Sequence, residues 1–128
     1  IDDYAHHPKE IDAVYQAISE MHPAQSITAV FQPHLFSRTQ DFAEDFARSL
    51  SVFDAVLLLE IYPARELPIT GVNSAWLLGK ITAPIKKLVS KETLCEAIKS
   101  IDYPVLVTMG AGDIGTLVEP LSKNLMYA

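Results

Sequence analysis

Four short polar segments hold most of the side chains able to do chemistry. They are Asp2-Asp3-Tyr4-Ala5-His6-His7-Pro8, Gln32-Pro33-His34-Leu35-Phe36-Ser37-Arg38-Thr39, Glu60-Ile61-Tyr62-Pro63-Ala64-Arg65-Glu66 and Gly110-Ala111-Gly112-Asp113-Ile114-Gly115. Three of the four histidines and two of the three arginines fall within them. Imidazole and guanidinium groups beside glycine-rich backbone suit the binding of an anion, such as a carboxylate or a phosphate.

Each group has a plain structural reading beside the chemical one. Asp2 and Asp3 are adjacent, so on a strand they point to opposite faces and do not share a proton. One of them accepts hydrogen bonds from a ribose, or caps the next helix. His6 and His7 splay apart in the same way, and no further ligands stand at a metal-binding spacing. Either they shape a helix-entry turn before Pro8, or one imidazole holds an anionic substrate group. Arg38 falls near an expected helix start, where a cation opposes the helix dipole. It makes sense there if an anion binds between the guanidinium and free backbone N–H groups. The alternative is an exposed arginine in a salt bridge with a residue such as Glu66. Arg65-Glu66 reads as a solvated loop pair. Cys95 and Trp76 read as packing residues.

The last segment spells G-x-G-x-x-G from Gly110 to Gly115, after a strand-like run. A dinucleotide fingerprint belongs to the first strand–helix turn and wants an acidic residue roughly 20 positions later. This one follows the last strand, so the glycines signify close backbone approach or a tight turn. The phosphate-loop pattern fails as well, because Gly79-Lys80 is followed by Ile81 and Ser74 stands where the first glycine belongs.

Alternating elements must position these groups. Helical spacing of Ile11, Val14, Tyr15 and Ile18 predicts a helix over 8–21, with Pro8 at its first turn. Apolar runs predict strands at 27–32, 55–61, 85–89 and 104–109. Further helices are predicted over 39–51, near 73–79, over 91–101 with Ser90 as cap, and around Leu117, Leu121 and Leu125. Strand and helix alternation implies one α/β domain over 1–128, with a mainly parallel twisted sheet flanked by helices. Ligands of such sheets gather beyond the carboxyl ends of the strands, where the four polar segments fall.

Composition narrows the function. The 128 residues are 49% hydrophobic, enough for one packed core. Ten basic against sixteen acidic residues give a net charge of −6. That disfavours general nucleic-acid binding and an anionic membrane surface. A single cysteine excludes an intrachain disulfide and a cysteine zinc cluster. The apolar run from Ala55 to Leu59 is too short to span a bilayer. The start at Ile1 lacks the basic and apolar regions of a signal peptide, and it fits a processed chain or a piece of a longer one.

Taken in order, the motifs resemble a known family. Asp2-Asp3-Tyr4-Ala5-His6-His7-Pro8-Lys9-Glu10-Ile11, Phe31-Gln32-Pro33-His34 with Ser37-Arg38-Thr39, Ile61-Tyr62-Pro63-Ala64-Arg65-Glu66 and Gly110-Ala111-Gly112 resemble the C-terminal domain of the Mur ligases of peptidoglycan synthesis. The likeness is to the alanine-adding members. It implies a Rossmann-like sheet, with UDP-sugar and central ATPase domains outside these residues. It also implies a cytoplasmic enzyme that uses ATP with Mg2+ to activate UDP-N-acetylmuramate and then joins L-alanine through an acyl phosphate. Carried over, His6 and Arg38 hold the alanine carboxylate or the transferring phosphate. Tyr4 and His34 flank them, Gly110, Ala111, Gly112 and Asp113 line the amino-acid site, and Asp3 meets the ATP ribose. No resident metal is expected. Many relatives carry arginine where this chain has Leu35. The rival readings are a recycling ligase that attaches a tripeptide, a free-standing nucleotide- or amino-acid-binding module, and a nicotinamide oxidoreductase.

Overall fold

The apolar runs become neighbours in one parallel sheet. The computed structural model describes residues 7–101 and 103–110, together with the backbone of Asp2 and Asp3. In chain order the elements are β1 (Asp2–Asp3), α1 (Pro8–Met21), β2 (Ile27–Gln32), α2 (Phe36–Asp41) and α3 (Ala43–Leu50). They continue with β3 (Ala55–Leu58), α4 (Ser74–Leu78), β4 (Ile85–Leu88), α5 (Leu94–Ile101) and β5 (Val105–Gly110). The sheet order is β1-β5-β2-β3-β4, and every pair is parallel.

Strand alternation sends successive side chains to opposite faces, and both faces are covered. On one face Ala29, Phe31, Val56, Leu58, Val107 and Met109 pack against α1, α3 and α4 through Ile11, Ile18, Phe46, Leu50 and Leu77. On the other, Val30, Leu57 and Leu59 meet Val89 and the α5 residues Leu94 and Ile98. This is why β2 and β3 are buried along their whole length. Cys95 and Trp76 both pack at the margins of these clusters, as expected.

The register is fastened at the amino ends of the strands by Asp54. Its carboxylate accepts from Ile27 N–H at 2.8 Å, and its own N–H donates to the Ile27 carbonyl at 3.1 Å. The Asp54 carbonyl also accepts from Ile85 N–H at 3.4 Å. At the open edge, β4 exposes Lys86 and Lys87, a charge pattern that discourages further strand pairing. The Lys86 ammonium also donates to the carbonyls of Leu78, the last residue of α4, and of Ile81 just past it.

Pro8 opens α1 as predicted, and the short helix near 73–79 is α4, capped by Asn73. Ser90 exchanges hydrogen bonds with Thr93 in the turn that leads into α5, which starts later than position 91. The predicted strand over 55–61 ends at Leu58. The single helix expected over 39–51 is two helices, α2 and α3, hinged at Phe42 with φ −116° and ψ 20°. Their shared apolar period conceals that hinge, and no glycine or proline marks it. The helix expected around Leu117, Leu121 and Leu125 lies outside the described residues. Among the described residues no helix is long and apolar enough to cross a membrane.

Phe46 is 1% exposed, and its ring centroid lies 5.5 Å from that of Phe31. Phe46→Ala is expected to cost about 3–5 kcal/mol of stability by the usual large-to-small penalty. Urea unfolding followed by circular dichroism measures it.

Candidate functional site

Strands β2 and β3 leave the sheet side by side, and the chain segments beyond them go on pairing. His34 and Tyr62 form an isolated parallel bridge. Tyr62 N–H donates to the Pro33 carbonyl, and Leu35 N–H donates to the Tyr62 carbonyl, each at 2.8 Å. The His34 and Tyr62 rings stack with centroids 5.7 Å apart and planes 15° apart.

Leu35 then turns the chain into α2 with φ +72° and ψ 136°. A side chain larger than glycine rarely adopts this backbone, at a cost of order 1–3 kcal/mol. Neighbouring bonds hold it there. Thr39, fully buried, donates to the Leu35 carbonyl from both its N–H at 3.2 Å and its hydroxyl at 2.8 Å.

Leucine at the N-cap position cannot cap a helix, and the cap comes from another loop. The Glu66 carboxylate accepts from Ser37 N–H at 3.0 Å and from the Ser37 hydroxyl. The Ser37 hydroxyl bond, followed by the Ser37 backbone bond, holds the Glu66 carboxyl below the ordinary glutamate range. Burial opposes this without reversing it. Glu66 is therefore half of a loop-to-loop bond, contrary to its reading as part of a solvated loop pair. Its neighbour Arg65 is exposed, as expected.

Arg38 lies in the first turn and a half of α2, with its Nη1 3.3 Å from His34 Nδ1. Because α2 has only six residues, Arg38 also belongs to its last turn, so the dipole argument for an anion loses its force. The side-chain geometry supplies a better one. A guanidinium only donates, so Nδ1 is the acceptor and the proton of a neutral His34 sits on Nε2. The pair thus combines a guanidinium with an imidazole N–H donor, and no carboxylate is bonded to Arg38 among the described residues. The alternative salt bridge to Glu66 is not formed, since that carboxylate is bonded to Ser37.

The remaining candidates divide. His7 caps α1, its Nδ1 accepting from Lys9 N–H at 3.3 Å, and its ring leans on Phe42 at 5.0 Å. It is the helix-entry residue of the plain reading. Gly110 ends β5 opposite Gln32, buried, with φ +152°, a conformation that favours glycine. The backbone of Asp3 pairs with Met109 at the same carboxyl edge. Tyr4, His6, Ala111, Gly112 and Asp113 lie outside the described residues. A cavity of about 130 Å3 opens nearby between Gln32, Leu59, Glu60 and Ser90. Among the described residues no three His, Cys, Asp or Glu side chains gather as a metal site would require.

Sequence reasoning missed Ser37, Tyr62 and Glu66 as parts of the site. The visible signal was the Tyr-Pro-x-x-Glu turn, in which Glu66 N–H donates to the Pro63 carbonyl at 2.9 Å.

A parallel sheet covered on both faces, with donors gathered beyond its carboxyl ends, defines an α/β domain of the class whose ligands gather at the strand ends. Residues 1–112 match the family described as Mur ligase, glutamate ligase domain, and the chain belongs to that family. It is 63% identical over 127 residues to the UDP-N-acetylmuramate–L-alanine ligase of Christiangramia forsetii, covering 99% of this chain and 28% of the relative. It is 60% identical over 125 residues to the ligase of the same name from Flavobacterium johnsoniae, covering 98% and 28%. The chain thus spans little more than a quarter of the length of these curated relatives. The fold is shared with a murein peptide ligase from Psychrobacter arcticus, at TM-score 0.70 and 18% identity over 95% of this chain and 26% of that one. It is shared with the folylpolyglutamate synthase of Mycobacterium tuberculosis, at TM-score 0.61 and 16% identity over 85% and 26%.

The depressed Glu66 pKa has a stability consequence of fixed sign. The ionised carboxylate contributes fully above the ordinary glutamate pKa, and the contribution is lost as pH falls through the lowered folded value. Thermal unfolding of this chain from pH 7 to pH 3 should therefore show a shallower acid-side loss in Glu66→Gln than in the wild type. Parallel curves would mean that the carboxylate adds nothing.

Proposed function

We propose that this chain is the C-terminal, amino-acid-binding domain of a cytoplasmic ATP-dependent ligase that joins L-alanine to UDP-N-acetylmuramate in peptidoglycan synthesis. The match of nearly the whole chain to ligases of that name carries the reading. The His34–Arg38 pair at the strand ends gives it chemistry.

The reaction has two stages. ATP, with Mg2+ supplying charge neutralisation, phosphorylates the lactyl carboxylate of the sugar nucleotide and leaves ADP. The alanine amine then attacks the acyl carbon, and inorganic phosphate departs from a tetrahedral intermediate. In both stages negative charge sits on oxygens that need fixed donors. Arg38 and His6 hold the alanine carboxylate or the phosphate, and His34 adds its Nε2 proton. Tyr4 borders the same pocket. Gly110, Ala111, Gly112 and Asp113 line it, and Asp3 meets the ATP ribose. Closure of this domain onto the central ATPase domain orients the amine and excludes water from the acyl phosphate. Alone, these 128 residues lack a phosphate-loop sequence and do not turn over.

The test is phosphate release by the complete parent enzyme with ATP and UDP-N-acetylmuramate, supplied in parallel with L-alanine or with the tripeptide. Turnover with alanine is expected. Turnover with tripeptide alone makes the chain part of a recycling ligase, and release with neither leaves a free-standing binding module. In the complete enzyme Arg38→Ala should lower alanine ligation on the order of 10²-fold or more while the circular dichroism spectrum stays unchanged. Near-normal turnover would remove Arg38 from the site.

A further inference from the structure

We propose that Glu66 is a positioning residue for the anion-binding pair: by bonding Ser37 it holds the Leu35 turn so that Arg38 and His34 stay together. The proposal rests on the reading of that pair given above.

Four observations carry it. First, the Leu35 backbone at φ +72° does not hold itself and must be fixed from outside. Second, α2 is six residues long, too short to be rigid alone, so its orientation is set by what anchors its first turn. Third, that anchor is Glu66, 29 positions away in sequence, which takes both donors of Ser37, the residue immediately before Arg38. Fourth, the loop that carries Glu66 also carries Tyr62, which is bonded to Pro33 and Leu35 and stacked on His34. The two loops are therefore one body, with Arg38 anchored through Ser37 and His34 through Tyr62.

The chemistry also explains a carboxylate at position 66. Ser37 offers two donors, and an ionised carboxylate accepts both with charge assistance. A glutamine amide can accept from the Ser37 N–H and donate to its hydroxyl oxygen, but without the charge assistance of the carboxylate. The same two bonds occupy the carboxylate, which would otherwise be available to pair with Arg38 and neutralise the cation the substrate needs.

The test uses the complete parent enzyme with Glu66→Ala, Ser37→Ala and the double variant. Each single change is expected to lower kcat for ligation by about 10- to 100-fold, as for a misplaced catalytic contact, with the KM for ATP unchanged. The double variant should be no worse than Glu66→Ala alone, because the bond lost in Ser37→Ala is one of the two that the change at Glu66 already removes. Crystal structures of the variants should show Arg38 Nη1 and His34 Nδ1 moved apart from their 3.3 Å contact. An unmoved pair overturns the proposal, whatever the activity. So does a lowered melting temperature with unchanged kcat and an unmoved pair, which is the signature of a merely structural bond. Multiplying losses in the double variant overturn it too, since they mean independent roles. A separated pair with normal turnover leaves Glu66 as the positioning residue but removes Arg38 and His34 from the proposed ligation chemistry.

Discussion

The parallel register of β2 constrains everything downstream. Its six residues pair with β5 on one side, and four of them pair with β3 on the other. A parallel strand in that position must be covered on both faces, and the apolar runs and the three amphipathic helices α1, α3 and α5 meet that need. It must also start in register, and Asp54 provides this by bonding Ile27 in both directions at the amino edge. Once the amino edge is set, all carboxyl ends emerge together. The segments after β2 and β3 then lie close enough to pair, and the groups of two loops distant in sequence become neighbours.

That neighbourhood makes a strained turn affordable. Leu35 alone would leave the left-handed region, yet its N–H is bonded to Tyr62 and its carbonyl accepts two bonds from Thr39. Each neutral bond contributes about 0.5–1.5 kcal/mol net, so together they match a penalty of order 1–3 kcal/mol. The strain has a local use. It turns the chain from the strand path into α2 at one residue, and His34 before the turn meets Arg38 on the helix at 3.3 Å.

The layers of this fold were legible in the sequence because burial has a period. Continuous apolar runs marked β2, β3 and β5, and three-to-four spacing marked α1 and α5. The hinge at Phe42 was not legible, since Phe42, Phe46 and Leu50 continue one apolar stripe across it. At the site, residue type singled out Arg38 and His34. The Glu66–Ser37 bond left no such trace, because it joins a loop to the first turn of α2, 29 positions away, and obeys no local period. Nor did the left-handed turn, which in most chains is marked by glycine and here falls on leucine. His7 shows the opposite case: a chemically capable side chain whose place is taken by a helix cap.

The same leucine bears on the charge of the site. The resemblance to the Mur ligases leads to an expectation of arginine at this position, and the chain has leucine there. Here the position is occupied through its backbone. Both peptide groups of Leu35 are bonded, and the turn they make is what brings His34 to Arg38. A side chain of any charge can stand on that turn without altering the bonds beneath it. The turn and the pair therefore rest on the Leu35 backbone and not on a charged side chain at this position. The Glu66 carboxylate is engaged by Ser37 and not by the guanidinium.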